Sequence, residues 1–381
     1  MNINGYIRRY GKQTFEELPF NEVDALIFSE LSYINFHLVS PTTDNPDLPP
    51  VALKDINIGD PFAFYRGSVD AVFNINMVLL MRRSKRFRDC KVGLCLNVFS
   101  KENINQFFAM TIFLPNGAAF VAFRGTDTSM LGWQEDFILS FQEKILAQQQ
   151  AVAYLAFVQE YLPERFYVGG HSKGGNLAMY SALNSEESLQ NRMIRVYSFD
   201  GPGFRKKGTE YSCYPRMHPK LAKYITKNDI IGMMFNVLPE TKIVNSTGLL
   251  FGGHDPFYWQ VRKDMPAFVA ADGRSESSKT NVKVMADWLA TMSDDDKKLL
   301  WKFLFQVFSR RNNVYELTMF GLMDVIFSPT VLRQYTPEEQ EKIKGMITRL
   351  RDFYFSETSK RRKKNREIKK IMDEQEDRMD Q

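Results

Sequence analysis

The spacing of apolar positions changes character three times along the chain. Residues 1–40 read as mostly helical, with Val23, Leu26, Ile27, Leu31 and Ile34 recurring on one helical face. Pro41, Pro46, Pro49 and Pro50 then stop the pattern and predict a surface loop. From about Val92 the period becomes that of strands. GLCLNVF, FFAMTIFL and AAFVAFRG follow one another, the last two joined by Pro115-Asn116-Gly117, a turn signal that predicts a hairpin. A helix through Leu146, Val152, Leu155 and Val158, closed by Pro163, precedes the short strand Phe166-Tyr167-Val168. A second helix, Gly175 to Leu183, leads to a strand from Ile194 to Phe199, and two short strands are expected near Ala222–Thr226 and Thr241–Asn245. Strand, helix and strand in series predict a parallel sheet with crossover helices.

Beyond about residue 280 the strand signal ends. Ser293, followed by Asp294, Asp295 and Asp296, predicts a capped helix with Leu300, Phe303, Leu304, Val307 and Phe308 on one face. Thr336-Pro337-Glu338-Glu339 is a capping box opening another helix through Ile343, Met346, Ile347, Leu350 and Tyr354. The expected division is an α/β domain over 1–280, a helical extension over 281–355 and a charged tail over 356–381. Lys360–Lys370 is strongly basic and Ile371–Gln381 acidic, so the tail is expected to be solvated and partly helical, with peripheral membrane-surface contact through its basic half as the functional option.

Composition narrows the function without choosing it. The 381 residues are 44% hydrophobic and 25% charged, which excludes disorder or coiled coil for the bulk. The net charge of +5 is too small and dispersed to imply nucleic-acid binding. Cys90, Cys95 and Cys213 lack metal or disulfide spacing and are expected to be buried reduced thiols. No apolar leader and no uninterrupted apolar run of membrane length are visible, so a cytoplasmic protein is expected. Arg82, Arg83, Lys85, Arg86 and Arg88 form a basic run, expected to be a solvated helix end or loop, with contact to a membrane surface or an anionic partner as the alternative. No Walker loop, HExxH or dinucleotide fingerprint occurs, so no metal or other cofactor is implied.

Gly170-His171-Ser172-Lys173-Gly174 fits G-x-S-x-G between a predicted strand and a predicted helix. Gly170 and Gly174 let the chain bend sharply so that the Ser172 hydroxyl projects above the sheet, and the helix behind it aims N–H groups at a developing oxyanion. A serine hydroxyl needs a base, and the base needs an orienting carboxylate. Of four histidines, His171 adjoins the serine in sequence and is expected to point away and hydrogen-bond within the elbow, while His37 and His218 are expected to be structural or surface residues. His254, on the Gly-rich loop Gly252–Pro256, is the expected base. Asp229, just past a strand, is the expected acid and completes the chain order Ser, Asp, His; Asp200, at the end of the strand after the serine, competes with it, and Asp255 adjoins His254 too closely to orient it. The N–H groups of Thr126 and Lys173 form the expected oxyanion hole.

Taken together, Phe123-Arg124-Gly125-Thr126, Trp133, Asp136, GHSKGG, Asn228-Asp229 and His254 with Tyr258-Trp259 resemble the class 3, fungal-type lipases. More narrowly, PFNEVDALIF, AFRGTDTSMLGWQEDF, GGHSKGGNLAMYSAL and SFDGPGF resemble a bacterial branch of that superfamily, the Mbeg-like proteins. The resemblance implies an α/β-hydrolase fold, a mostly parallel sheet flanked by helices, here with a helical C-terminal extension. It implies Ser172 as nucleophile, Asp229 as acid, His254 as base, Thr126 as oxyanion donor, and Ser129–Phe137 at the position of the lipase lid. Lys173 stands where those lipases carry an apolar residue and is expected to place a charge beside the acyl pocket. The function so implied is cleavage of a carboxylic ester, of a lipid or other apolar acyl substrate; the alternative is a catalytically silent scaffold of the same fold that binds an acyl ligand or a protein partner.

Overall fold

A computed structural model describes the chain except residues 68–69, 128, 140–141, 143, 205–206, 236–237, 239–240, 249, 309–328 and 380–381. It forms two compact units, Met1–Ser275 and Glu276–Gln381.

The first unit is built on one eight-stranded sheet whose spatial order equals its chain order. The strands are β1 (Val51–Ala52), β2 (Lys91–Ser100), β3 (Asn105–Phe113), β4 (Ala119–Phe123), β5 (Phe166–His171), β6 (Met193–Phe199), β7 (Leu221–Thr226) and β8 (Lys242–Val244). Pairings from β1 to β4 are antiparallel, and those from β4 to β8 are parallel. The predicted hairpin is β3–β4, with Ala109 opposite Phe123, and Gly117 at φ 81° closes its turn. All but the last residue of β3 are buried, the mark of a strand covered on both faces.

Helices α1 (Ile3–Tyr10), α2 (Glu22–Leu31), α3 (Pro61–Phe64) and α4 (Ala71–Arg83) precede β2; α5 (Met130–Leu139) and α6 (Leu146–Val158) precede β5. Then come α7 (Lys173–Leu183), α8 (Glu187–Arg192) and α9 (Tyr214–Met217). Alternation along β4 divides the core in two. Phe120 and Ala122 pack into one cluster with Leu26, Phe28, Met77 and Trp259, while Val121 and Phe123 pack into the other with Leu155, Val168 and Leu177.

Arg86 corrects the expectation of a solvated basic run. It is fully buried and clamps Asp24 of α2 through Nε–Oδ1 (2.8 Å) and Nη2–Oδ2 (2.5 Å), while also donating to the carbonyls of Thr14, Leu18 and Pro19. A buried guanidinium is tolerated because every arm of the fork meets an acceptor. Cys90 and Cys95 are buried free thiols, and Cys213 is only half-buried.

The second unit consists, among the described residues, of α10 (Glu276–Ala290), α11 (Asp294–Phe308), α12 (Pro329–Leu332) and α13 (Pro337–Met379). Trp288, Leu300, Phe303, Val307, Ile343, Met346 and Ile347 form its core, and Trp288 Nε1 donates to Met346 O at 2.8 Å. Both predicted caps are present. Ser293 Oγ accepts from Asp296 N (3.1 Å), and Thr336 Oγ1 accepts from Glu339 N (3.3 Å). The expected boundary at residue 355 falls inside α13. The side chains of Phe308, Trp133 and Asp136 lie outside the described residues. No described helix is long and apolar enough to cross a membrane.

Candidate active site

At the C-terminal end of β5 the chain turns sharply into α7. Ser172 occupies that corner at φ 55° and ψ −130°, a region that L-residues rarely adopt and that costs on the order of 1–3 kcal/mol. The strain is held by bonds on both sides of the residue: Ser172 N donates to Phe199 O, and Ser172 O accepts from Gly175 N, each at 2.9 Å. The neighbouring glycines are required for closeness. A Cβ on Gly174 would lie 2.1 Å from Phe123 O, and one on Gly170 would lie 2.3 Å from the Gly174 carbonyl carbon. Gly125 is fixed in the same way, since a Cβ there would meet the Tyr33 hydroxyl at 2.1 Å and His171 O at 2.6 Å. These contacts bring the loop after β4, which carries Thr126, against the elbow, where the opening N–H groups of α7 have no intrahelical partner. Arg124 anchors that loop from behind, donating to Ser32 O (2.5 Å) and Ile34 O (3.1 Å) with its guanidinium 3.8 Å over the Phe108 ring.

His254 meets two carboxylates. Its Nδ1 lies 3.1 Å from Asp229 Oδ1 and 3.4 Å from Asp200 Oδ2. Asp229 follows β7 and is held by the N–H groups of Ile231 (3.2 Å to Oδ1) and Gly232. Asp200 follows β6 at φ 48°, and its Oδ1 accepts from Thr226 N at 2.8 Å. The competing acids of the sequence thus stand together on one ring nitrogen. Burial, then the charge of Asp229, raise the Asp200 carboxyl to about 7. Burial alone would lower His254, but hydrogen bonds and charge from Asp200 and Asp229 outweigh it and push the imidazole up to about 10. Lys223, buried in β7, donates to Gly201 O beneath the pair. Burial lowers its ammonium to about 8 against the pull of Asp229 and Asp200.

Ser172 is 9% exposed and the His254 side chain 21%, so both border the surface. Ser172 Oγ forms no hydrogen bond to His254 or to any other described residue. Such bonds are commonly long in a free enzyme and tighten once substrate is bound.

His171 does not bond within the elbow as expected. Its Nε2 lies 2.8 Å from His254 O and must carry the proton, so Nδ1 accepts from the Tyr33 hydroxyl at 3.0 Å. Ligand atoms of His171, Asp200 and His254 lie within 4.8 Å of one another, but both His171 nitrogens are taken and offer a cation no lone pair. Its role is to seat the loop of His254: the two rings stand 4.6 Å apart.

Lys173 corrects a further expectation. Its side chain is buried, and Nζ donates to Glu135 Oε2 (2.5 Å) and Gln106 O (2.9 Å). The charge is neutralised inside the protein. Glu135 belongs to α5, which lies at the expected lid position; a Cβ on Gly132 of the same helix would meet Thr126 Cγ2 at 2.8 Å. Tyr33, Glu135 and Gln106 escape sequence reasoning. The one signal for them is an unexplained charge, Lys173, in an otherwise apolar and Gly-rich elbow. His37, bonded to Asn97 at 3.1 Å, stands apart from this group, and Asp255 caps its own turn by accepting from Phe257 N at 2.8 Å.

No curated protein and no solved structure shows detectable similarity to the chain. The profile of the Mbeg1-like family matches residues 81–306, more than half of the chain, in one span that holds β2 to β8, the elbow, both carboxylates and His254. The chain belongs to the Mbeg1-like family.

Proposed function

We propose that the protein is a serine hydrolase that cleaves carboxylic esters of apolar acyl groups. The observation that carries this reading is a strained serine at a strand-to-helix corner, next to a His171 ring that stands 4.6 Å from an imidazole whose Nδ1 is bonded to a buried carboxylate. In the reaction, Ser172 Oγ attacks the ester carbonyl carbon as its proton passes to His254 Nε2. The negative charge gathers on the carbonyl oxygen between the N–H groups of Thr126 and Lys173. Collapse expels the alcohol, which takes the proton from His254, and water then hydrolyses the acyl-serine with the same base. Asp229 holds the imidazole with Nδ1–H toward itself, leaving Nε2 free to act.

A fluorophosphonate probe tests this reading. Labelling is expected on Ser172, located by peptide mass spectrometry, and is expected to vanish in Ser172→Ala and His254→Ala; ester turnover should fall by about a million-fold in Ser172→Ala. The missing Ser172–His254 bond favours a second reading, a catalytically silent scaffold that binds an acyl ligand. A folded protein that resists the probe selects that reading.

A further inference from the structure

Helix α4 presents apolar side chains on two faces. Its sequence, AVFNINMVLLMRR, buries Met77, Val78 and Met81 on one side. On the other, Val72, Ile75 and Leu79 stand in solvent at 75, 37 and 42% exposure, spaced as one helical stripe, and Phe62 on α3 is 81% exposed. Single exposed apolar residues are ordinary, but three recurring on one face of α4, with a fourth on the element before it, are more apolar surface than a segment facing water alone normally carries.

The charges on these elements are one-sided. Arg83 continues the stripe one turn past Leu79, and Arg66 and Arg82 lie on the same segment. Among the described residues none of the three is ion-paired. The two carboxylates of the segment are already engaged, Asp60 capping α3 through Phe62 N (2.9 Å) and Asp70 capping α4 through Phe73 N (3.3 Å). Arg82 donates to Lys54 O at 3.3 Å but meets no carboxylate, and apolar side chains fringed by guanidiniums without a carboxylate partner fit the boundary between anionic headgroups and acyl chains.

The same segment also touches the loops of the site at two points. Gly67 packs against Asp127, next to Thr126, with a Cβ position 3.4 Å from Asp127 Oδ2. Phe73 stacks on Phe257, three residues past His254, at 5.2 Å between ring centroids.

We propose that the α3–α4 segment, Asp60–Arg83, docks the protein on an anionic phospholipid bilayer. Phe62, Val72, Ile75 and Leu79 enter the headgroup boundary, and Arg66, Arg82 and Arg83 bind lipid phosphates. The contact brings the mouth of the candidate site to the lipid surface, so it gives the substrate of the hydrolase reading a lipid source and rests on that reading for its purpose, though not for the binding itself.

Flotation of the full chain with vesicles tests it. Binding is expected to vesicles of phosphatidylcholine mixed with phosphatidylglycerol and weaker binding to phosphatidylcholine alone. The variant F62S/V72S/L79S should lose about tenfold or more in vesicle affinity. R82Q/R83Q should lose the preference for phosphatidylglycerol. Fluorophosphonate labelling without vesicles should be unchanged in both, because the substituted side chains lie outside the catalytic group. The proposal is overturned if wild-type protein ignores both vesicles, if the triple variant binds like wild type, or if light scattering finds a dimer that the triple variant dissolves. Vesicle binding through these residues by a protein that resists the probe keeps the docking surface and removes the hydrolase reading; labelling without vesicle binding does the reverse.

Discussion

Asp229 and Asp200 both reach His254 Nδ1, and this sharing decides how the residues respond to change. With Asp229→Asn, Asp200 remains on the same nitrogen, so ester turnover is expected to fall by less than the roughly 10⁴-fold typical of a lost orienting carboxylate. The double variant D200N/D229N should show the full loss. The pH profile separates the two acids further. In the proposed reaction the base acts only when neutral, so kcat/KM is expected to rise as pH climbs through the His254 pKa, which two carboxylates hold above its ordinary value. Asp200→Asn removes one of them, lowers that pKa and should move the rising limb to lower pH. A limb that stays in place, or moves to higher pH, contradicts this account. Chain order singled out Asp229 and His254, which the structure bonds to each other, together with Ser172 at the elbow. The sharing of His254 by two acids was not legible, because which strand ends converge depends on the twist and order of the sheet.

At the scale of elements, the buried Lys173–Glu135 pair ties the start of α7 to α5 and, through Gln106, to the start of β3. Lys173→Met leaves Glu135 buried and unpaired, which should cost about 3–5 kcal/mol in urea unfolding, whereas K173M/E135L should recover most of the loss. A cost unchanged in the double variant refutes the pairing as its origin. Such pairs were invisible in the sequence because their members lie 38 residues apart on different elements. The same holds for Arg86, 62 residues from Asp24, whose place in a basic run suggested solvent. The hairpin, the elbow helix and the two C-terminal caps were read correctly, since each is specified by residues within a few positions of one another. Helix α4 escaped detection because apolar residues on both its faces blur the helical period.

At the scale of the molecule, the two units have separate cores, with Trp288, Phe303 and Ile343 in a cluster of their own. A chain ending at Ser275 is therefore expected to fold and to be labelled by the fluorophosphonate at Ser172 like the full chain. Loss of cooperative melting in that shorter chain contradicts the independence of the units. The unbroken strand order of the first unit has a consequence during synthesis. Each strand from β5 to β8 pairs with the one just before it in the chain, so no gap in the sheet waits for a later strand to fill it. Ser172 sits at the end of the fifth strand, whereas Asp229 and His254 arrive only after the seventh and eighth. On the proposed reading, a nascent chain thus carries Ser172 without its base through the making of more than eighty further residues, until His254 leaves the ribosome.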